Sequence, residues 1–230
     1  LLQHLTPFFN VGEHNIIRLE GADWNDGLDM ARTRGESVAF TALYASNFKQ
    51  VADAIQTAVL DNSDMLVFPE LTLCGYGVKD LMYNPGFVEK NLMFLQATCQ
   101  TSVGYKGHIF IGYIDNNNSG SGKPFRNMVA VIHNGVVIAR YTKWLLPFYD
   151  VFDEGRYYEA GDELCIVKVA GKRVGVLVCE DMWNDKGQDD YNHKTNPVAK
   201  YRELGVDMIV SLNSSPYTKN KPVYRMNFLG

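Results

Sequence analysis

Three polar side chains stand just past apolar runs that read as buried strands, and together they could cleave an amide. Cys179 follows the β-branched run at 174–178 and is itself followed by Glu180, Asp181, Met182 and Trp183. Glu70 follows residues 65–68, and Lys143 follows residues 136–141. Short apolar runs of this kind read as strands buried on both faces. A thiol attacks only as its thiolate. A carboxylate in reach could take the thiol proton, and an ammonium could stabilise the thiolate and a developing oxyanion. Taken singly, each residue has a plainer reading: a buried core thiol, and a solvated acid and base at strand ends. The window around Cys179 contains no histidine to act as base. The chemistry therefore requires the fold to bring the three strand ends together.

The surrounding elements predict such a fold. Residues 38–44 have helical spacing, with Ser37 as a candidate N-cap. Phe48, Val51, Ala52, Ile55 and Val59 form one face of a second helix. Residues 84–98 form a further helix with Pro85 in its first turn. Residues 109–114 are a strand. Residues 127–132 and 136–141 form a hairpin around Asn134-Gly135, a strong short-range turn signal. Residues 164–169 and 174–178 form another hairpin, turning at Gly171. Residues 196–204 are helical, with Gly205 as the residue just past the end, and 208–212 is a last strand. This order predicts a layered α/β fold, whose strand ends share one edge where clefts form.

Composition narrows the partners. With 46% hydrophobic residues and a net charge of −4, the chain can build a core and has no electrostatic case for nucleic acid or an anionic membrane. Its four cysteines form no CxxC, and its histidines are too scattered for a zinc pattern, so no metal is expected. No apolar run reaches membrane-spanning length, and the first residues lack the basic and apolar regions of a secretory signal, so none is expected. A reduced, cytoplasmic setting is expected.

Phe68-Pro69-Glu70-Leu71, Lys143 with Leu146-Pro147, and Val178-Cys179-Glu180-Asp181 resemble the three catalytic motifs of the nitrilase, or carbon–nitrogen hydrolase, superfamily. Their separations of 73 and 36 residues fit that pattern too. Gly75-Tyr76 to Asp80-Leu81, residues 151–154 with Arg156-Tyr157-Tyr158, Met182-Trp183, and Asn213 to Pro216 are similar to the glutaminase domain of glutamine-dependent NAD synthetases. The resemblance covers residues 47–230. It implies an α-β-β-α layered sandwich, with Cys179 attacking the glutamine side-chain amide, Glu70 as general base and Lys143 at the oxyanion. It also implies that Tyr149, Phe152, Glu180 and Ser215 contact glutamine and that Tyr76 lies at the start of an ammonia path. Lys221 is a candidate contact to substrate. Glu154 or Glu159 could be a second carboxylate orienting Lys143, or either could pair structurally with Arg156. The amidase chemistry implies no cofactor. ATP and magnesium would belong to a synthetase domain that this chain does not carry, and the family resemblance implies a homo-oligomer. Against the family pattern, the opening strand is absent or replaced and the chain stops at Gly230, so the fold is expected to be truncated at both ends.

Residues 1–46 read differently. Asp23-Trp24-Asn25-Asp26 with Gly35-Glu36-Ser37-Val38 resembles a segment of the cellobiose-phosphorylase-like α/α-barrel phosphorylases. There, paired carboxylates would serve acid catalysis and an indole would face a sugar. Alternatively, Asp23 and Asp26 simply solvate a loop. A barrel needs far more chain than 46 residues, so no glycosidic activity is expected and the segment should pack poorly on the rest. Three rivals to a glutaminase stand beside it: an amidase for another small amide, a catalytically silent domain with exposed sheet edges, and a carbohydrate-active fragment.

Overall fold

The computed structural model describes residues 17–18, 36–84, 86–149, 152–185, 193 and 195–215, with side chains from residue 49 onward except those of 184 and 185. Asp23, Asp26 and Lys221 therefore lie outside the described residues. The elements, in order, are β1 (Ile17–Arg18), β2 (Glu36–Ser37), α1 (Val38–Leu60), β3 (Met65–Val67), α2 (Phe87–Thr101), β4 (His108–Asn116), β5 (Phe125–His133), β6 (Val136–Thr142), β7 (Ile166–Val169), β8 (Lys172–Val178), α3 (Pro197–Glu203) and β9 (Met208–Leu212). Short 3₁₀ turns carry Lys79–Tyr83, Glu154–Arg156 and Cys179–Asp185.

Two sheets form the middle layers. One runs β3-β4-β5-β6, with β3 parallel to β4 and the remaining pairs antiparallel. The other runs β7-β8-β9, with β8 parallel to β9. Alternation along each strand decides which layer a residue joins. Phe110, Val129, Val131 and Tyr141 meet Val167, Val174, Val176, Val178 and Leu212 of the second sheet. Ile109, Ile111, Tyr113, Met128, Ala130 and Ile132 face the helices instead, packing with Ile55, Ala58, Leu95 and Cys99. On the far side of the second sheet, Gly175 leaves room for the ring of Tyr201 from α3. The result is the predicted α-β-β-α sandwich.

Several boundaries differ from the sequence reading. Residues 38–44 and 48–59 belong to one continuous helix, α1. The predicted apolar stripe is rotated, because Ala58 is buried while Val59 is 43% exposed. Helix α2 starts at Phe87 because Gly86 holds φ at 81°, a left-handed conformation that no helix interior accepts. Strand β7 starts later than expected, at the point where the Tyr201 hydroxyl accepts from the Cys165 amide at 3.0 Å and donates to its carbonyl at 3.0 Å, a carbonyl that also accepts from the Val176 amide at 3.1 Å. The Asn134-Gly135 hairpin forms as predicted, with φ of 46° and 81°, the signature of a type I′ turn. Asn196 caps α3 by accepting from the Ala199 amide at 2.9 Å, and Gly205 ends it at φ 63°.

One glycine decides where Glu70 sits. A Cβ on Gly112 of β4 would lie 2.2 Å from the Leu71 amide nitrogen and 2.8 Å from the Glu70 carbonyl carbon. Both are backbone atoms that cannot swing aside. Gly112→Ala is therefore expected to cost about 3 kcal/mol through overpacking, read as a lowered urea midpoint with an unchanged slope.

Candidate active site

Each candidate residue arrives from the carboxyl end of a strand. Glu70 lies three residues past β3, Lys143 directly follows β6, and Cys179 directly follows β8. The edge they share is buried: Glu70 and Lys143 are 0% exposed and Cys179 is 7% exposed. The turns are abrupt, since Leu71 has φ of 51° and Cys179 has φ of 43°. A left-handed backbone on a non-glycine residue is strained, and such strain persists where surrounding structure over-determines it.

Lys143 sits between two carboxylates. Its Nζ lies 2.8 Å from Oε1 of Glu70 and 2.8 Å from Oε1 of Glu154. Its backbone is pinned from both sides, as its amide donates to the Asn127 carbonyl at 2.9 Å and its carbonyl accepts from Gly161 at 2.8 Å. The Asn127 side-chain amide also donates to Glu70 Oε1 at 2.8 Å. The Tyr76 hydroxyl donates to Glu154 Oε1 at 2.5 Å. Glu154 is thus the second carboxylate on Lys143. Glu159 is not, because it accepts from the Lys123 amide at 2.7 Å. Arg156 turns away as well, reaching Asp80 at 3.9 Å.

Two buried carboxylates share one ammonium, so the cluster favours holding a proton. Burial pushes the Glu154 carboxyl up to about 7, against the downward pull of Lys143, with Glu70 adding to the rise. Burial alone would push the Lys143 ammonium down, but Glu154 and Glu70 hold its pKa well above the ordinary lysine range. Burial also raises the Cys179 thiol to about 12; Glu70 adds to this and Lys143 opposes it. The resting thiol therefore keeps its proton. Glu70 Oε1 is already occupied by two donors, whereas among the described residues its Oε2 is buried and unpartnered. That oxygen is free to accept a proton. An ammonium has three donors, and Lys143 spends two on carboxylates, leaving one for an incoming oxygen.

The other predicted residues that the structure describes reach the cluster through a chain of contacts. Ser215 Oγ lies 3.4 Å from the Cys179 sulfur. The Tyr149 hydroxyl donates to Glu180 Oε2 at 2.7 Å. The ring of Phe152 lies edge-on to Tyr149 and Tyr76, with centroids 5.5 and 5.9 Å apart. Behind Glu154, a cavity of about 230 Å³ is lined by Tyr76, Phe152, Glu154 and Tyr157 among others. Four further residues shape the site and were not singled out from sequence: Asn127, Asp181, His193 and Ser214, whose Oγ donates to the Glu70 carbonyl at 2.8 Å. Asn127 had a visible signal, a polar side chain opening an otherwise apolar strand. Among the described residues no cluster of histidine, cysteine and carboxylates could hold a metal ion, and no helix is long and apolar enough to cross a membrane.

Residues 36–204 match the family model for carbon–nitrogen hydrolases. The chain is 37% identical over 190 residues to the glutamine-dependent NAD(+) synthetase of Thermotoga maritima, a match covering 81% of this chain and 30% of that protein. Among solved structures it is similar to the glutamine-dependent NAD+ synthetase from Acinetobacter baumannii, with a TM-score of 0.67 and 31% identity, covering 80% of this chain and 32% of that one. A mutant of the Nesterenkonia AN1 amidase from the nitrilase superfamily superposes with a TM-score of 0.60 at 15% identity, covering 77% of this chain and 62% of that one; this likeness shows the fold. The chain spans about 30% of the length of the curated synthetase relatives it matches. The family match establishes that this chain belongs to the carbon–nitrogen hydrolase family, and its fold is that of a nitrilase-superfamily amidase.

Proposed function

We propose that the chain is a glutamine amidohydrolase domain whose ammonia feeds the synthetase portion of a glutamine-dependent NAD+ synthetase. The observation that carries this reading is the buried Glu70–Lys143–Glu154 cluster, whose charges act directly on the Cys179 thiol. In the first half-reaction Glu70 Oε2 takes the thiol proton as sulfur bonds to the amide carbon. The carbonyl oxygen gains the negative charge and takes the remaining Lys143 donor. Collapse expels the amine, which leaves as ammonia with the proton that Glu70 returns. The γ-glutamyl thioester is then attacked by water; Glu70 takes one water proton, and collapse yields a thiolate that regains that proton and a γ-carboxylic acid that releases the second water proton to solvent, giving glutamate. A base acting at the moment of attack suits a thiol raised to about 12, since little preformed thiolate exists at neutral pH.

Tyr149, Phe152, Glu180 and Ser215 line the glutamine pocket in this reading, and Lys221 is a further substrate contact. Ammonia leaves past Tyr76 towards the cavity behind Glu154. The domain uses no cofactor; ATP and magnesium serve the synthetase partner. The working assembly is a homo-oligomer in the cytoplasm. Residues 1–46, read as a cellobiose-phosphorylase-like segment, take no part in the chemistry; residues 36–46 of it fall within the matched carbon–nitrogen hydrolase model, and those from Val38 open helix α1.

Ammonia release from glutamine tests the reading. Cys179→Ala is expected to lower turnover by at least ~10³-fold. Release that survives this substitution would sink the proposal, and equal turnover of unrelated small amides would favour a broader amidase.

A further inference from the structure

Glu180 follows the candidate nucleophile and is 2% exposed. Two groups hold its two oxygens. Oε2 accepts the Tyr149 hydroxyl at 2.7 Å, and Oε1 lies 3.2 Å from His193 Nε2. Among the described residues no lysine or arginine pairs with it, and the basic side chain that reaches it is His193. Burying a carboxylate without a permanent cation is costly. The Tyr149 hydroxyl and the His193 ring fix its direction, and with no lysine or arginine paired to it among the described residues it is open to a cation brought by the substrate. His193 is suited to this task. Its side chain is only 14% exposed, and its ring meets Phe148 edge-on, with centroids 6.4 Å apart at 83°. With the proton on Nε2 the imidazole donates to Oε1.

We infer that His193 is a positioning residue that sets substrate specificity: it aims Glu180 so that the site demands an ammonium group on the substrate, remote from the scissile amide. This rests on the glutaminase reading. The histidine touches neither the amide nor the thiol, so its loss weakens recognition and leaves the chemical step intact. A substrate with the same chain but no α-amino group gains nothing from the aimed carboxylate and loses nothing with it.

Calorimetric titration of the Cys179→Ala protein with L-glutamine and with glutaramate, which lacks the α-amino group, separates binding from turnover. Glutamine is expected to bind the more tightly. Adding His193→Ala should weaken glutamine about tenfold and leave glutaramate within about twofold. His193→Gln retains an N–H donor and should restore most of the loss. In the active protein, His193→Ala should raise KM for glutamine at unchanged kcat. If both ligands weaken equally, or His193→Ala changes neither, the positioning role is overturned while the glutaminase reading stands. If the Cys179→Ala protein binds neither ligand, the glutaminase reading fails and takes this inference with it.

Discussion

Replacing Lys143 with methionine is expected to lower stability by about 3–5 kcal/mol, the usual cost of leaving a buried charge without its partner. That is a large part of the 5–15 kcal/mol (roughly) that holds a typical domain together. The reason is local. Lys143 is 0% exposed and is the ion-pair partner of both Glu70 and Glu154 among the described residues. Methionine fills a similar volume but leaves two buried carboxylates facing each other. The deficit should depend on pH, and the sign follows from Glu154. Its folded-state pKa of about 7 lies above the ordinary 4.5, so the stability it contributes is fully present below about 4.5 and is lost as pH rises through about 7. Lys143 pulls that value down. Without the ammonium the carboxyl keeps its proton to higher pH in the folded state, and forcing it to ionise costs more. Lys143 itself is raised above 10.5, so its own contribution is constant between pH 5 and 8. Urea unfolding should therefore show a smaller deficit at about pH 5 than at about pH 8. Equal deficits would mean that the carboxylates are not what the lysine holds. In the proposed mechanism turnover should be lost at both pH values, because Lys143 is there the oxyanion donor.

In the proposed mechanism the same cluster takes the place of a histidine base for Cys179. A histidine-paired thiol owes its reactivity to a preformed ion pair. Here burial and Glu70 oppose that state, and Cys179 stays protonated near neutral pH. Glu154 moderates the arrangement: burial raises its carboxyl to about 7, so near neutral pH it carries only part of a negative charge beside Lys143. The ammonium can then turn its spare donor to the substrate oxygen without abandoning Glu70.

How much of this was legible in the sequence depended on the range of the interaction. The hairpins were readable because Asn134-Gly135 and Gly171 are local signals for left-handed turns, and they take that conformation. Strand ends were readable from runs of β-branched residues, and these placed Glu70, Lys143 and Cys179 at comparable positions. What sequence spacing does not encode is convergence. That Glu154, eleven residues from Lys143, reaches its Nζ at 2.8 Å while Glu159 turns to Lys123 depends on a 3₁₀ turn at Glu154–Arg156. Both carboxylates were equal candidates on spacing. The boundaries of α1 and α2 failed for a related reason: a seven-residue pattern cannot tell a break from a rotated face, and Gly86 overrides the helical spacing before it. Asn127 and Asp181 have partners 57 and 37 residues away, beyond any local rule.

Asp181 carries the second large expected effect. It is 0% exposed and accepts four hydrogen bonds. Oδ1 takes the amides of Trp144 and Leu145 at 3.0 and 2.8 Å. Oδ2 takes the Tyr141 hydroxyl at 2.8 Å and the Val178 amide at 2.9 Å. Burial pushes its carboxyl up to about 6, and the Leu145 and Val178 amides, Lys143 and Tyr141 hold it down, so it is ionised at neutral pH. These donors flank the chemistry: Trp144 and Leu145 follow Lys143, and Val178 precedes Cys179. One carboxylate therefore fixes the spacing between the ammonium and the sulfur across two sheets. Asp181→Ala orphans four donors and is expected to cost about 3–5 kcal/mol, with turnover down about hundredfold from misplacement alone. Asp181→Asn is the sharper test. Either orientation of the amide points its NH₂ at a backbone N–H that cannot accept, so asparagine should lose at least ~2 kcal/mol despite its matching shape. Were Asp181→Asn to unfold within about 0.5 kcal/mol of the parent, the carboxylate would not be the clamp, and the spacing of Lys143 and Cys179 would have to be set by the sheets themselves.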